Sequence, residues 1–165
     1  MKFPVFMAAA VLAIAPAAPS SLAAQDILVA PQSRAAYVER VGDTLQTQID
    51  RFPFETWNAR SGIAQVRFEV GEDGRAQAVR THRTSGDHAL DKAARIIASR
   101  LEDLAPLPRG SMAGQTIQAN IVLASDRHKR DRLLARLARE EASRIASSPR
   151  EAAVLVLGAA PPPRS

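Results

Sequence analysis

One stretch near the middle of the chain restricts the fold more than any other. Ala64, Val66, Phe68 and Val70 alternate with Gln65, Arg67 and Glu69, and a period of two is the signature of a strand with two chemically different faces. Gly71-Glu72-Asp73-Gly74 follows at once. Glycines at both ends suit the positive-φ positions of a tight turn. The chain therefore returns on itself, and Ala76–Arg83 is the expected antiparallel partner, although Val79 is its only sizeable β-former.

The segments around this hairpin have a different period. Tyr37, Val41, Leu45 and Ile49 recur every four residues, one stripe of a helix, with Ser33 as an N-cap that Ala36 leaves without a capping-box partner. Pro53 disfavours helical geometry at Phe52 and closes that helix. Phe52, Phe54 and Trp57 are then core-facing anchors between helix and sheet, and Asn58–Gly62 is a turn. After the hairpin, Thr84–Asp87 breaks the strand, with Ser85 or Asp87 able to cap the next helix. That helix is expected to carry Leu90, Ala94, Ile97, Leu101 and Leu104 on one stripe. Residues 105–114 hold Pro106, Pro108 and two glycines and read as a loop. Ile117, Ala119, Ile121 and Leu123 then alternate as a third strand. The order α-β-β-α-β predicts an α+β fold, a two-layer sandwich with a three-stranded antiparallel sheet. Its second face, bearing Arg67, Glu69, Gln118 and Asn120, is expected to be solvated.

Flanking segments complete the plan. Lys2 followed by the apolar run Phe3–Ala18 and small residues to Ala24 has the layout of a secretory signal over residues 1–24, for which cleavage after Ala23, with Ser21 at the third position back, fits better than cleavage after Ala24. A tether in the inner membrane is the alternative. Residues 25–34 form a short leader, 35–124 the domain, and 125–148 a basic amphipathic helix with Leu133, Leu134, Leu137 and Ile145 in its apolar stripe. Arg132 and Arg136 are partial ion-pair partners for Glu140 on that helix, and Pro149 ends it. Residues 149–165 hold the apolar run Val154–Leu157 and a Pro-rich tail read as disordered. Val154–Leu157 is a candidate for the edge of the chain's own sheet.

The formal charge of +5 suggests a basic protein, but its placement weakens that idea. Residues 25–125 are balanced, and the excess lies in 126–165, with nine basic against five acidic side chains. Arg127, Lys129, Arg130, Arg132, Arg136 and Arg139 make a tail patch suited to anionic lipid or polymer. With five Phe, one Trp and one Tyr, the chain offers few stacking platforms, and nucleic acid is not an expected partner. The absence of cysteine excludes disulfides, thiolate nucleophiles and Cys-based metal sites. His82, His88, Ser85 and the nearby Asp87 and Asp91 cluster in sequence, but they straddle a strand-to-helix turn and lack a nucleophile-elbow motif, and two histidines fall short of a zinc set. No catalytic residue, cofactor, metal or small-molecule substrate is expected.

The run GIAQVRFEVGEDGR from Gly62 to Arg75 resembles the first hairpin of a TonB C-terminal domain, with Asp73-Gly74 at its turn. TSGDHALDKAA from Thr84 to Ala94 is similar to the family's Ser-Ser-Gly…Leu-Asp-x-Ala-Ala segment through Ser85, Gly86, Leu90, Asp91 and Ala94. Leu104–Pro108, with Pro106 and Pro108, resembles the family's proline-bearing loop. The resemblance covers roughly residues 35–124. It implies a periplasmic, non-catalytic, Gram-negative protein-interaction domain of TonB/TolA-like type, whose partner is an envelope protein or peptide, in envelope transport. It further implies that the peptide adds a strand to a sheet edge, here the last strand, Gln115–Leu123, through Gln115, Ile117, Gln118, Asn120 and Val122. Residues 25–34 are too short a spacer for force transmission to an outer membrane, so a free periplasmic binding or adaptor domain is the expectation. The alternative is an envelope-surface binder that uses the basic tail.

Overall fold

The structure, a computed structural model, describes residues 33–111 and 114–158. The expected signal and the Pro-rich terminus lie outside the described residues. Helix α1 spans Arg34–Asp50, with Ser33 Oγ accepting from Ala36 N as its N-cap. Strand β1 is Gly62–Val70 and β2 Ala76–Arg83. Helix α2 covers His88–Ser99 and β3 Thr116–Leu123. Beyond them come α3 at Arg127–Ser147, α4 at Pro149–Ala153 and β4 at Leu155–Leu157. No described helix is long and apolar enough to cross a membrane.

The sheet has four strands in the order β2-β1-β3-β4. β1 pairs antiparallel with β2 and with β3, whereas β3 pairs in parallel with β4. The expected three-stranded antiparallel sheet is thus a mixed, four-stranded one. A parallel neighbour needs a crossover, and α3 and α4 supply it.

The alternating apolar side chains of β1 and β3 do form one core face. Ala64, Val66, Phe68, Ile117, Ala119 and Ile121 are all fully buried, in one cluster with Tyr37, Val41 and Leu45 of α1 and Leu90, Ala94 and Ile97 of α2. Phe52 packs on Phe54 and Trp57, with ring centroids 4.9 and 5.0 Å away. The expectation for α2 needs a correction at its end. The helix stops at Ser99, yet Leu101 and Leu104 remain fully buried. They stay in the core because the chain past α2 hydrogen-bonds to the hairpin: Ala76 N donates to Leu101 O, and Leu104 N to Gly74 O. Gly74, at φ +73°, supplies the left-handed residue this junction needs.

The expectation for the second sheet face is overturned. Gln65, Arg67, Gln118 and Asn120 are not solvated; each is at most 9% exposed. Helix α3 lies over them, presenting Leu137 and Glu141, both buried. The molecule therefore has three layers, helix, sheet and helix, rather than two. Pro149 does end α3, but it also opens α4 as its first residue, with Ser148 Oγ accepting from Glu151 N.

Candidate interaction edge

A four-stranded sheet has two edges, and these differ. The β2 edge is exposed but irregular. Its register against β1 shifts between Gln65 and Val66 and again between Arg67 and Glu69, and Ala78 sits at φ +51°. Bulges and charged side chains such as the exposed Arg80 discourage a further strand. The other side is regular. Ile117, Gln118 and Ala119 of β3 face Leu155, Val156 and Leu157 of β4. β3 is therefore an interior strand over this stretch, and the free edge expected along Gln115–Leu123 is a free edge only beyond Ala119. The apolar run Val154–Leu157 supplies the covering strand. Gln115 Nε2, ahead of β3, donates to Ala153 O at 3.0 Å, and Arg34 Nη2 from α1 donates to Val154 O at 2.9 Å. Past Ala119 the ladder stops at Gly158, whose φ is +82°. A Cβ there would come within 2.4 Å of Asn120 O. Beyond lies a cavity of about 230 Å³ between α1, β3 and α3, bordered by Leu45, Ile49, Asn120, Val122 and Leu134.

Under α3 the polar groups of the sheet are joined into one network. Glu141 Oε1 accepts from Gln65 Nε2 at 3.0 Å and Gln118 Nε2 at 2.6 Å. Its Oε2 accepts from Arg144 Nε at 2.8 Å. Asn120 Oδ1 accepts from both Gln65 and Gln118, at 3.1 and 3.0 Å, while its buried Nδ2 has no partner among the described residues. Arg67 Nε donates to Gln118 Oε1 at 3.1 Å, and its two terminal nitrogens donate to both oxygens of Glu151, at 3.0 and 2.5 Å. Arg144 Nη1 donates to the Glu151 carbonyl and carboxylate. The hydrogen bonds from Arg67, assisted by Arg144, hold the Glu151 carboxyl well below its ordinary range, at about 2. Burial first, and the Arg67 charge second, lower the pKa of His82 at the rim. A paired, hydrogen-bonded buried ion set of this kind penalises the loss of any one member.

The motif residues hold the frame. Gly62 opens β1, and Asp73 Oδ1 accepts from Arg75 N at 3.1 Å in the hairpin turn. Asp91 Oδ1 accepts from Ser85 N at 2.7 Å, and Asp87, next to Gly86, caps α2 by accepting from Leu90 N at 2.9 Å. Leu90 and Ala94 are core residues. Pro106 is exposed and Pro108 buried in the loop before β3. Ser85 Oγ both donates to Asp87 O and accepts from Asp87 N, which engages it in the turn. Among the described residues no group of three or more His, Asp or Glu could hold a metal ion.

Apart from Arg144, the basic residues of α3 stand outside this network. Arg127, Arg130, Arg132, Arg136 and Arg139 are exposed, and Lys129 is half-buried. Glu140 pairs with Arg136 and with Arg83 of β2 rather than with Arg132. Sequence reading missed Glu141, Arg144 and Glu151 as partners of the sheet. The available signal was spacing: Leu134, Leu137, Glu141 and Arg144 follow one another at three- and four-residue steps, so two charges continue the apolar stripe of α3.

Residues 57–123 match the family model described as Gram-negative bacterial TonB protein C-terminal. No curated protein and no solved structure matches the chain. The matched stretch contains β1, β2, α2 and β3; α1, α3, α4 and β4 lie outside it.

Proposed function

We propose, from the premise that residues 57–123 are a domain of the TonB C-terminal family, that this protein binds an extended segment of an envelope protein along β3. Domains of this family are non-enzymatic protein-interaction domains associated with the periplasm and envelope, and they interact with envelope proteins such as outer-membrane receptors. The observation that carries the finer reading is the contrast between the two sheet edges. β2 is bulged and carries charge, whereas β3 already accepts a strand in regular register. Main-chain pairing at an edge gives affinity, and side-chain sockets beside it give specificity. A partner strand here runs alongside Ile117, Gln118, Asn120 and Val122, with Gln115 at its start. The protein then acts as an exported adaptor, with a part in envelope transport.

A photocrosslinking residue placed at Gln115 or Val122 in living cells tests this. Capture of a discrete envelope protein from these two sites, and not from Arg80 on β2, is the expected result. Capture from Arg80 alone overturns the assignment of the edge. The exposed arginines of α3 favour a second reading, attachment to an anionic envelope surface. Binding to vesicles of anionic lipid that disappears with rising salt, and with Arg132 and Arg139 changed to Gln, would support it.

A further inference from the structure

The edge assigned to the partner is occupied by the chain itself, and the occupant is informative. This inference rests on the reading just given. Leu155 and Leu157 are 2% and 0% exposed, packed in the same cluster as Tyr37, Val41 and Leu45 of α1 and Ile117 of β3. Val156 between them is half-buried. Ahead of the strand, Glu151 brings both its oxygens to Arg67. The site therefore reads three features of its occupant: a backbone ladder, two large aliphatic side chains one residue apart, and a carboxylate.

We infer that Glu151–Leu157 is a built-in occupant of the partner site, with Glu151 delivered from α4 and Leu155 and Leu157 from β4, and that an incoming partner strand must displace it. A partner strand that takes the place of β4 pairs along Ile117–Ala119 and refills the sockets of Leu155 and Leu157.

Two observations set what a replacing segment must bring, and a third favours exchange. Arg67 belongs to β1, inside the family-matched stretch, and is buried. A buried guanidinium that loses its carboxylate is strongly disfavoured, so a segment that displaces α4 together with β4 must bring an anion to it. The sockets of Leu155 and Leu157 likewise need refilling, because vacating them leaves an apolar hole between α1 and β3. Finally, β4 pairs with only the first part of β3. Its ladder ends at Ala119, while β3 continues to Leu123 beside the cavity flanked by Leu45, Ile49 and Leu134. A longer strand from a partner can make ladder bonds there that β4 does not make. The tethered occupant has a high effective concentration, so it sets a threshold that only such a partner passes.

The experiment uses the full chain and a labelled synthetic peptide copying residues 148–158. Two variants open the edge by separate routes: Glu151→Gln weakens the hold on α4, and Val156→Pro interrupts β4 without touching the polar network. The wild-type chain should bind the peptide weakly, and both variants about tenfold or more tightly. A peptide carrying Leu155→Asp, or one carrying Glu151→Gln, should lose that gain. Amide exchange reports whether Ile117–Ala119 has opened while β1 stays protected. Continued protection of Ile117–Ala119 in both variants overturns the inference, because β4 is then a fixed strand. Opened variants that bind no better than wild type overturn it as well. Crosslinking from Val122 separates the two claims. Equal capture of an envelope protein by wild type and opened variants leaves the partner reading standing without the inference. Tight peptide binding with no envelope protein captured leaves the reverse.

Discussion

Glu141 is the residue on which the second face of the sheet depends. Its carboxylate is 5% exposed and accepts from Gln65, Gln118 and Arg144. Glu141→Ala removes the acceptor these three donors share, leaving Gln65 and Gln118 only Asn120 and Arg144 only Glu151, and is expected to cost about 3–5 kcal/mol of stability in urea denaturation. By contrast, Arg75 and Glu102 pair at 3.1 Å with both side chains more than half exposed, and Arg75→Ala is expected to change stability by less than about 1 kcal/mol. Glu151 adds a dependence on pH. Its folded pKa of about 2 lies below the ordinary 4.5. The stabilisation it provides is therefore complete above pH 4.5, and is lost as pH falls through about 2. Amide protection at Ile117–Ala119 should weaken across that acid window in the wild type, and much less so in Glu151→Gln. These residues show where reading the sequence stopped. Alternation in β1 and β3 shows that the two faces differ, and predicts water over the polar one. A polar face can equally be satisfied by the polar side of a helix, and nothing local to Gln65 or Gln118 distinguishes the two partners.

At the level of elements, most of the strands and helices were legible, because each carries its own period. α1, β1, β3 and the hairpin turn follow from Tyr37–Ile49, Ala64–Val70, Ile117–Leu123 and Gly71–Gly74. The end of α2 was not, since Leu101 and Leu104 keep helical spacing but are held in the core by backbone bonds to the hairpin. β4 is a different case. Its apolar run marked it as an edge candidate, yet its parallel direction follows only from where α3 and α4 deliver it. Gly158 closes this element. A methyl group there meets Asn120 O at 2.4 Å, in a backbone conformation that side chains resist. Gly158→Ala is expected to detach the end of β4, raising amide exchange at Ala119 while leaving β1 protected.

For the whole molecule, the arrangement of layers sets which parts yield first. β1 lies between two strands and between two helical layers, buried from Gly62 to Phe68. β2 is largely exposed on a bulged edge. Hydrogen exchange should therefore be slowest at Ala64–Phe68 and markedly faster along Gln77–His82, with Ile117–Ala119 slow only while β4 is in place. The parallel pairing of β3 with β4 has a further consequence, in time rather than space. β3 is complete before any of α3, α4 or β4 has followed it along the chain. Whenever the protein is made or refolds from its N-terminal end, the edge at Ile117–Ala119 is formed first and covered last. In that interval the edge proposed for a partner strand stands open, with no competitor from the chain itself.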